Sequence, residues 1–509
     1  MDIRDDQNNV FNITLAKCTG IYQMLDSQTI RFRGLNVYHI VMIIIMLFIW
    51  VIAVILNISV VYYWTNIMPL SMDYFWKGIY SLYLCYPTWA IVHYSDDIWN
   101  CLSITCYGFT SHSLQGRHIL DRWRERSVLL TTTLTVVYLT SAIIYFVSSL
   151  ALSNDIIPVK NRDGSVSNYL HNVLNLYLFV SDDTYNAHYN MFYLFEAMII
   201  VSAVIAFFVF DFLLLTFCLA IRCQGQMVCT AFESIGHTSL GDNLSLVDCG
   251  DEKNKLPNEH DLIYDELKTI ILDHQAVMKK NYSFLTIFKQ VLLLQIVVFS
   301  MSIIILLFCF ILSFSDDNRF KSSRILTLKI FCAIPLNLFK LFTLCYLFGN
   351  LNEQKDSIIF ALYSSNWTEM DMKFKKLILL TMKMNNTNHK MLKFTRTKIV
   401  NLEMFFKTMR DSYSILSFNV FKFPPCKINI GKISAGPGLA VYHLYKTLCI
   451  IEHVTKSPSE VKEWLCVLFN QCLFTYFTYT KYSISTYHGA QKSIHNLNLM
   501  SGLSGKSAN

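Results

Sequence analysis

Five runs of 18 or more largely apolar residues, near 37–62, 128–152, 191–221, 284–314 and 325–348, constrain this chain more than anything else in it. A run of that length is long enough to cross hydrocarbon, where a segment must satisfy its own backbone hydrogen bonds and therefore becomes a helix. Across 509 residues, 53% hydrophobic and 16% charged content with a mean hydropathy of +0.37 excludes an ordinary soluble protein. The expected fold is all-α and polytopic. Two weaker runs bring the expected count to seven: 72–92, MDYFWKGIYSLYLCYPTWAIV, interrupted by Lys77 and Pro87, and 401–421, which carries a polar stripe. Both suit a bundle interior better than a lipid-facing position.

Basic residues set the expected orientation. With the N-terminus cytoplasmic, the inner segments hold Arg31 and Arg33, then Arg117, Arg122, Arg124 and Arg126, and later a lysine-rich stretch from Lys355 to Arg396. The outer loops hold only Lys160, Arg162, Arg319, Lys321 and Arg324. The first 36 residues are polar and lack the apolar core of a leader, so the first span is expected to act as its own insertion signal. The net charge of +7 is explained by these inner loops and the C-terminal tail, and gives no case for nucleic acid. The 15 cysteines show no extracellular disulfide framework and read as buried thiols.

In NLEMFFKTMRDSYSILSFNVF (Asn401 to Phe421), Glu403, Lys407, Arg410, Ser414 and Ser417 recur at steps of four, three, four and three, on one helical face. Charge facing lipid costs roughly 2.5–3.5 kcal/mol per residue even on the mildest scale, so the stripe must meet protein or water. One reading makes it the wall of an ion path completed by other subunits. The other closes Glu403 on Lys407 and Lys407 on Asp411 as i,i+4 pairs. Asn401 has the side chain to cap this helix.

The segment 234–260 is rich in Gly, Ser, Asp and Asn and reads as a flexible insertion. After it, Leu262, Leu267, Ile270, Ile271 and Val277 form one face of a helix leading into the fifth span; His274 lacks a partner at metal-ligand spacing and reads as a packed or solvated histidine. Before the last span, Met372, Leu377, Leu379, Leu380, Met382 and Met384 interleave with lysines in an amphipathic helix that packs either within the chain or between subunits.

The tract YSSNWTEMDMKFKKLILLTMKMNN (Tyr363 to Asn386), then KIVNLEMFFKTMRDSYSILS (Lys398 to Ser417), with LDHQ (Leu272 to Gln275) before the fifth span, resembles the insect odorant receptors. The resemblance extends to about residue 420. It implies an odorant-gated, non-selective channel for monovalent and divalent cations in the dendritic plasma membrane of olfactory neurons. It also implies a heterotetramer of tuning subunits with the family's co-receptor, and no cofactor. The implied organisation is a cytoplasmic segment at 1–36, six helices and their loops over 37–348, anchor helices at 349–400 and a pore helix at 401–421. Pore lining then falls to Glu403, Lys407, Arg410, Ser414 and Ser417, with Phe418 and Phe421 near the mouth. The implied odorant cage, among the outer halves of the second, third, fourth and sixth helices, takes Phe75, Tyr80, Tyr138, Tyr145, Phe146, Phe192, Phe195 and Ile330.

The stretch 422–509 departs from that pattern: Pro424 and Pro425 end the helix, and Trp464 to Tyr479 reads as an eighth span, an interfacial segment or sequence outside a working receptor. Gustatory receptors share the topology, but their Gln-Phe pair in the last helix is missing from DSYSILSFNVF. A G-protein-coupled receptor would need the opposite orientation, a transporter would show internal repeats, and no enzyme motif stands out.

Overall fold

Among the described residues the chain is helical throughout the predicted apolar runs, and several helices begin well before them. A computed structural model describes residues 7–422 except 27, 33–34, 64–67, 114, 152–155, 161–164, 178–179, 237–258, 313–323, 389–391 and 395–397. Most of the insertion expected at 234–260, and nearly all of the extension 422–509, lie outside the described residues. The described residues belong to one unit, Met1–Pro425. Short helices α1 (Ile13–Cys18) and α2 (Ile21–Leu25) and a two-residue hairpin, β1 (Arg31–Phe32) with β2 (Leu35–Asn36), precede α3 (Val37–Tyr63) and α4 (Met68–His93). Then come α5 (Ser95–Leu102), α6 (Arg117–Ala151), the antiparallel strands β3 (Ile156–Lys160) and β4 (Val166–Leu170), and α7 (Asp182–Ala187). The long helices α8 (Tyr189–Ser234), α9 (Glu259–Leu312) and α10 (Arg324–Ser364) follow, with α11 (Met372–Asn388) and α12 (Leu402–Lys422) last.

Among the described residues, α3, α6, α8, α9 and α10 are long and apolar enough to cross a membrane. At 1.5 Å per residue α8 spans about 69 Å and α9 about 81 Å, more than twice a hydrocarbon core, so both continue well beyond it. The helix expected after the insertion is thus the first two-fifths of α9, with Leu267, Ile270 and Val277 buried and Leu262 exposed. Pro87 does not interrupt α4, which runs through it to His93, and α10 likewise contains Pro335. Lys77 lies in the interior and pairs with Asp73 one turn away.

Between α6 and α8 the described residues form a folded cap. Strands β3 and β4 pair over five residues each, and Tyr169, Tyr177, Tyr185 and Phe192 form a chain of stacked and edge-on rings with centroids 4.1–5.7 Å apart. Beneath it the fully buried Glu196 of α8 accepts the backbone N–H groups of Leu174 (2.5 Å), Asn175 (3.1 Å) and Leu176 (2.7 Å) and the Tyr185 hydroxyl (3.3 Å). Three converging amides satisfy a carboxylate that could not otherwise be buried. The turn that aims them uses Asn175 at φ 59°, a left-handed conformation that asparagine tolerates. The Tyr74 hydroxyl of α4 donates to the Asn175 carbonyl, joining the cap to a second helix.

At the other end of α8, Gln224 donates to the carbonyls of Ile104 (3.1 Å) and Cys106 (3.0 Å) and accepts the Thr110 hydroxyl (3.1 Å). The N-terminal segment docks on this linker through Val10 N–H to Thr105 O and Tyr107 N–H to Asn8 O, both 2.9 Å. The linker is also tied to α9: the Ser111 N–H donates to Asp273 (2.8 Å), and His112 lies 4.0 Å from Asp273 and 3.5 Å from Glu266.

Two outcomes follow from these contacts. Glu196→Ala strands three buried amides, each costing about 1–3 kcal/mol; hydrogen exchange of the Leu174, Asn175 and Leu176 amides should accelerate at least a hundredfold while the amides of α2 stay protected. The carboxylates of Asp273 and Glu266 beside it raise the His112 pKa to about 9 from its ordinary 6.5. A raised pKa stabilises the protonated, docked form, so this contribution is complete below pH 6.5 and fades as pH rises through 9. Thermal unfolding of the detergent-solubilised chain should lose stability across that window, and His112→Gln should flatten the dependence.

Candidate functional site

Five helices bring polar side chains to one point in the apolar interior. Asp211 of α8 accepts the Tyr138 hydroxyl of α6 and the Gln295 side-chain N–H of α9, the latter at 3.2 Å. The Lys340 ammonium of α10 lies 3.7 Å from the same carboxylate. It also sits over the rings of Phe207 (3.6 Å to the centroid), Tyr138 (4.8 Å) and Phe299 (5.3 Å). From α4, Tyr80 donates to Asn337, one turn before Lys340, and its ring lies 5.5 Å from Phe207 and 5.8 Å from Phe299. Asp211, Lys340, Gln295, Tyr138, Tyr80 and Asn337 are all buried.

An ion pair in such surroundings is costly to desolvate and survives only where hydrogen bonds and ring faces answer both charges. Here the carboxylate receives two hydrogen bonds and the ammonium three aromatic faces, each contact worth about 0.5–2 kcal/mol.

Of the residues assigned to a cage from sequence, Tyr80 and Tyr138 meet at this centre. Phe192 instead joins the capping ring cluster with Tyr185, and Phe195 packs edge-on against Phe48 of α3 at 6.0 Å. Phe75, Tyr145 and Phe146 are half-buried on α4 and α6, and Ile330 is buried on α10. Asp211, Lys340 and Gln295 were not singled out from the sequence, although an ionisable residue inside an apolar span is itself a signal. Two clefts, one of ≈270 Å³ between α3 and α4 beside Trp89 and one of ≈390 Å³ beside Asn12 and Arg124, both lie away from this centre.

The striped helix α12 is capped as expected, with Met404 N–H donating to the Asn401 side chain at 3.0 Å. Its inner face buries Phe405 against Phe342 of α10, centroids 5.6 Å apart, and Ser412. Glu403, Lys407, Arg410 and Ser414 are exposed on the opposite side. Among the described residues, neither Glu403 with Lys407 nor Lys407 with Asp411 closes an ion pair. The side chains of Ser417, Phe418 and Phe421 lie outside the described residues. In α11 the buried face is Phe374, Ile378, Thr381 and Asn385, whereas Met372, Leu379, Leu380 and Met384 point outward. Among the described residues, these four apolar side chains therefore do not pack into the core.

The sequence profile of the family described as 7tm odorant receptor matches residues 108–413. A solved structure of the insect olfactory receptor OR5 from Machilis hrabei superposes with a TM-score of 0.60 at 10% identity, covering 80% of this chain and 98% of that one. The likeness is one of fold. No curated protein matches the chain.

Asp211→Ala would leave a buried ammonium without its counter-ion, a loss of about 3–5 kcal/mol. Asp211→Leu combined with Lys340→Met removes both charges and should recover most of that loss. The unfolding midpoints of the detergent-solubilised wild type, Asp211→Ala and the double variant check this.

Proposed function

Because the chain belongs to the 7tm odorant receptor family, we propose that it is the odorant-binding subunit of a ligand-gated, non-selective cation channel. It spans the neuronal plasma membrane seven times with its N-terminus cytoplasmic, α4 and α12 supplying the two polar crossings. Volatile amphiphiles bind in the interior among α4, α6, α8 and α10. The observation that carries the channel reading is the outward stripe on α12, since Glu403, Lys407, Arg410 and Ser414 are exposed where a lone chain would press them against lipid. A ring of such helices faces the stripe to a shared aqueous path, with Ser417, Phe418 and Phe421 continuing it.

The exposed Met372, Leu379, Leu380 and Met384 support the assembly step. An apolar row on the cytoplasmic helix that feeds α12 is covered when subunits meet, and the co-receptor is the partner proposed for it in a heterotetramer. The segment 349–400 then acts as an anchor that holds the pore helices in register.

Whole-cell voltage clamp tests this, with the chain expressed with and without the co-receptor and G-protein signalling blocked. A fast cation current during a pulse of volatile odorant, present only with the co-receptor, is the expected result. Glu403→Gln should lower the permeability of divalent relative to monovalent cations. A response abolished by the block would overturn the channel reading.

A further inference from the structure

The centre around Lys340 has hydrogen-bonding capacity that its own residues do not use. The Asp211 contact at 3.7 Å is longer than a hydrogen bond, so charge and ring faces hold the ammonium, and its N–H groups retain capacity to donate. Two further polar atoms, the Tyr83 hydroxyl and the Gln295 side-chain oxygen, are buried and without a partner among the described residues. Tyr83 shares its two ring neighbours with Lys340: its ring lies 6.0 Å from Phe207 and 6.1 Å from Phe299. Gln295 shares Asp211 with Lys340. An unmet polar atom in an apolar interior costs about 1–3 kcal/mol, and two of them lie beside an ion pair whose ammonium has donors to spare.

The three capacities specify a ligand. The ammonium offers a donor, the Gln295 oxygen needs a donor, and the tyrosine hydroxyl can donate or accept. A ligand hydroxyl answers them together: its oxygen accepts from Lys340 and Tyr83, and its proton goes to Gln295. A ketone or ester carbonyl answers two of them and leaves the Gln295 oxygen bare. A hydrocarbon answers none. The surrounding Phe207, Phe299 and Tyr80 rings suit an alkyl or alkenyl tail.

We infer that this centre is a head-group subsite for aliphatic alcohols, with Lys340, Tyr83 and Gln295 as the residues that determine specificity. The inference rests on the odorant-binding reading above and narrows it to one ligand class. A single water has the same valence and is the competing occupant.

The test uses the purified full chain in detergent, with binding of 1-octanol, 2-octanone and 1-octene read from thermal shift at matched concentration. The wild type should bind 1-octanol at least tenfold more tightly than 1-octene, with 2-octanone between them. Tyr83→Phe removes a hydroxyl with no partner among the described residues, so it keeps the fold, and it should shrink the octanol-to-octene ratio about tenfold. Lys340→Met should shrink it further. Equal binding of alcohol and alkene by the wild type, or a ratio untouched by Tyr83→Phe, would mean that the centre holds water only and would overturn the inference. Parallel currents with the co-receptor separate the two readings. Discriminating binding without any octanol-gated current sinks the channel reading and leaves the subsite standing, whereas currents equal for octanol and octene do the reverse.

Discussion

Inside a bundle closed to water, a carboxylate must bring its own donors, and α8 is where the chain meets that demand. Glu196 and Asp211 lie 15 residues apart on this helix, about 22 Å along its axis, and Gln224 follows about 20 Å further on. Each organises one level of the molecule. Glu196 gathers three amides and fixes the cap, Asp211 gathers α6, α9 and α10 at the centre, and Gln224 gathers the linker on which the N-terminal segment docks. Apolar packing brings the helices together without preferring one height over another, since it is non-directional. These three polar side chains supply the heights, because each can be satisfied at one register alone.

What could be read from the sequence follows the same division. Long apolar runs became α3, α6, α8, α9 and α10, and the interrupted run at 72–92 became an interior helix whose Lys77 is paired with Asp73. The Asn401 cap was legible because capping is a local contact between a side chain and an N–H three residues on. Asp211 and Lys340 were present in plain view, but averaging over a span hides a single charge among twenty apolar neighbours. The Glu196 cradle was not legible at all. Its donors are backbone amides, which every residue but proline possesses, so no residue pattern announces them.

Helical periodicity gives a face without saying what that face meets. In α11 the inward face proved to be Phe374, Ile378, Thr381 and Asn385, and the methionine and leucine row lies opposite. In the aromatic cage, periodicity placed residues on suitable helices but not at a common depth. Tyr80 and Tyr138 reach the ion pair, while Phe192 and Phe195 stand nearer the start of α8, among the rings of the cap.

Two prolines flank the ion pair: Pro87 sits one turn beyond Tyr83 in α4, and Pro335 just over one turn before Lys340 in α10. Each removes one rung from its helix ladder, because proline has no N–H to offer the carbonyl four residues earlier. Stiffness is therefore lowest in these two struts close to where their polar side chains converge. A force applied to the Lys340 ammonium or to Tyr83 acts beside a compliant joint. On α10, Phe342 lies about half a turn beyond Lys340, and its ring bears on Phe405 of α12. A short contact path thus joins the ion pair to the striped helix.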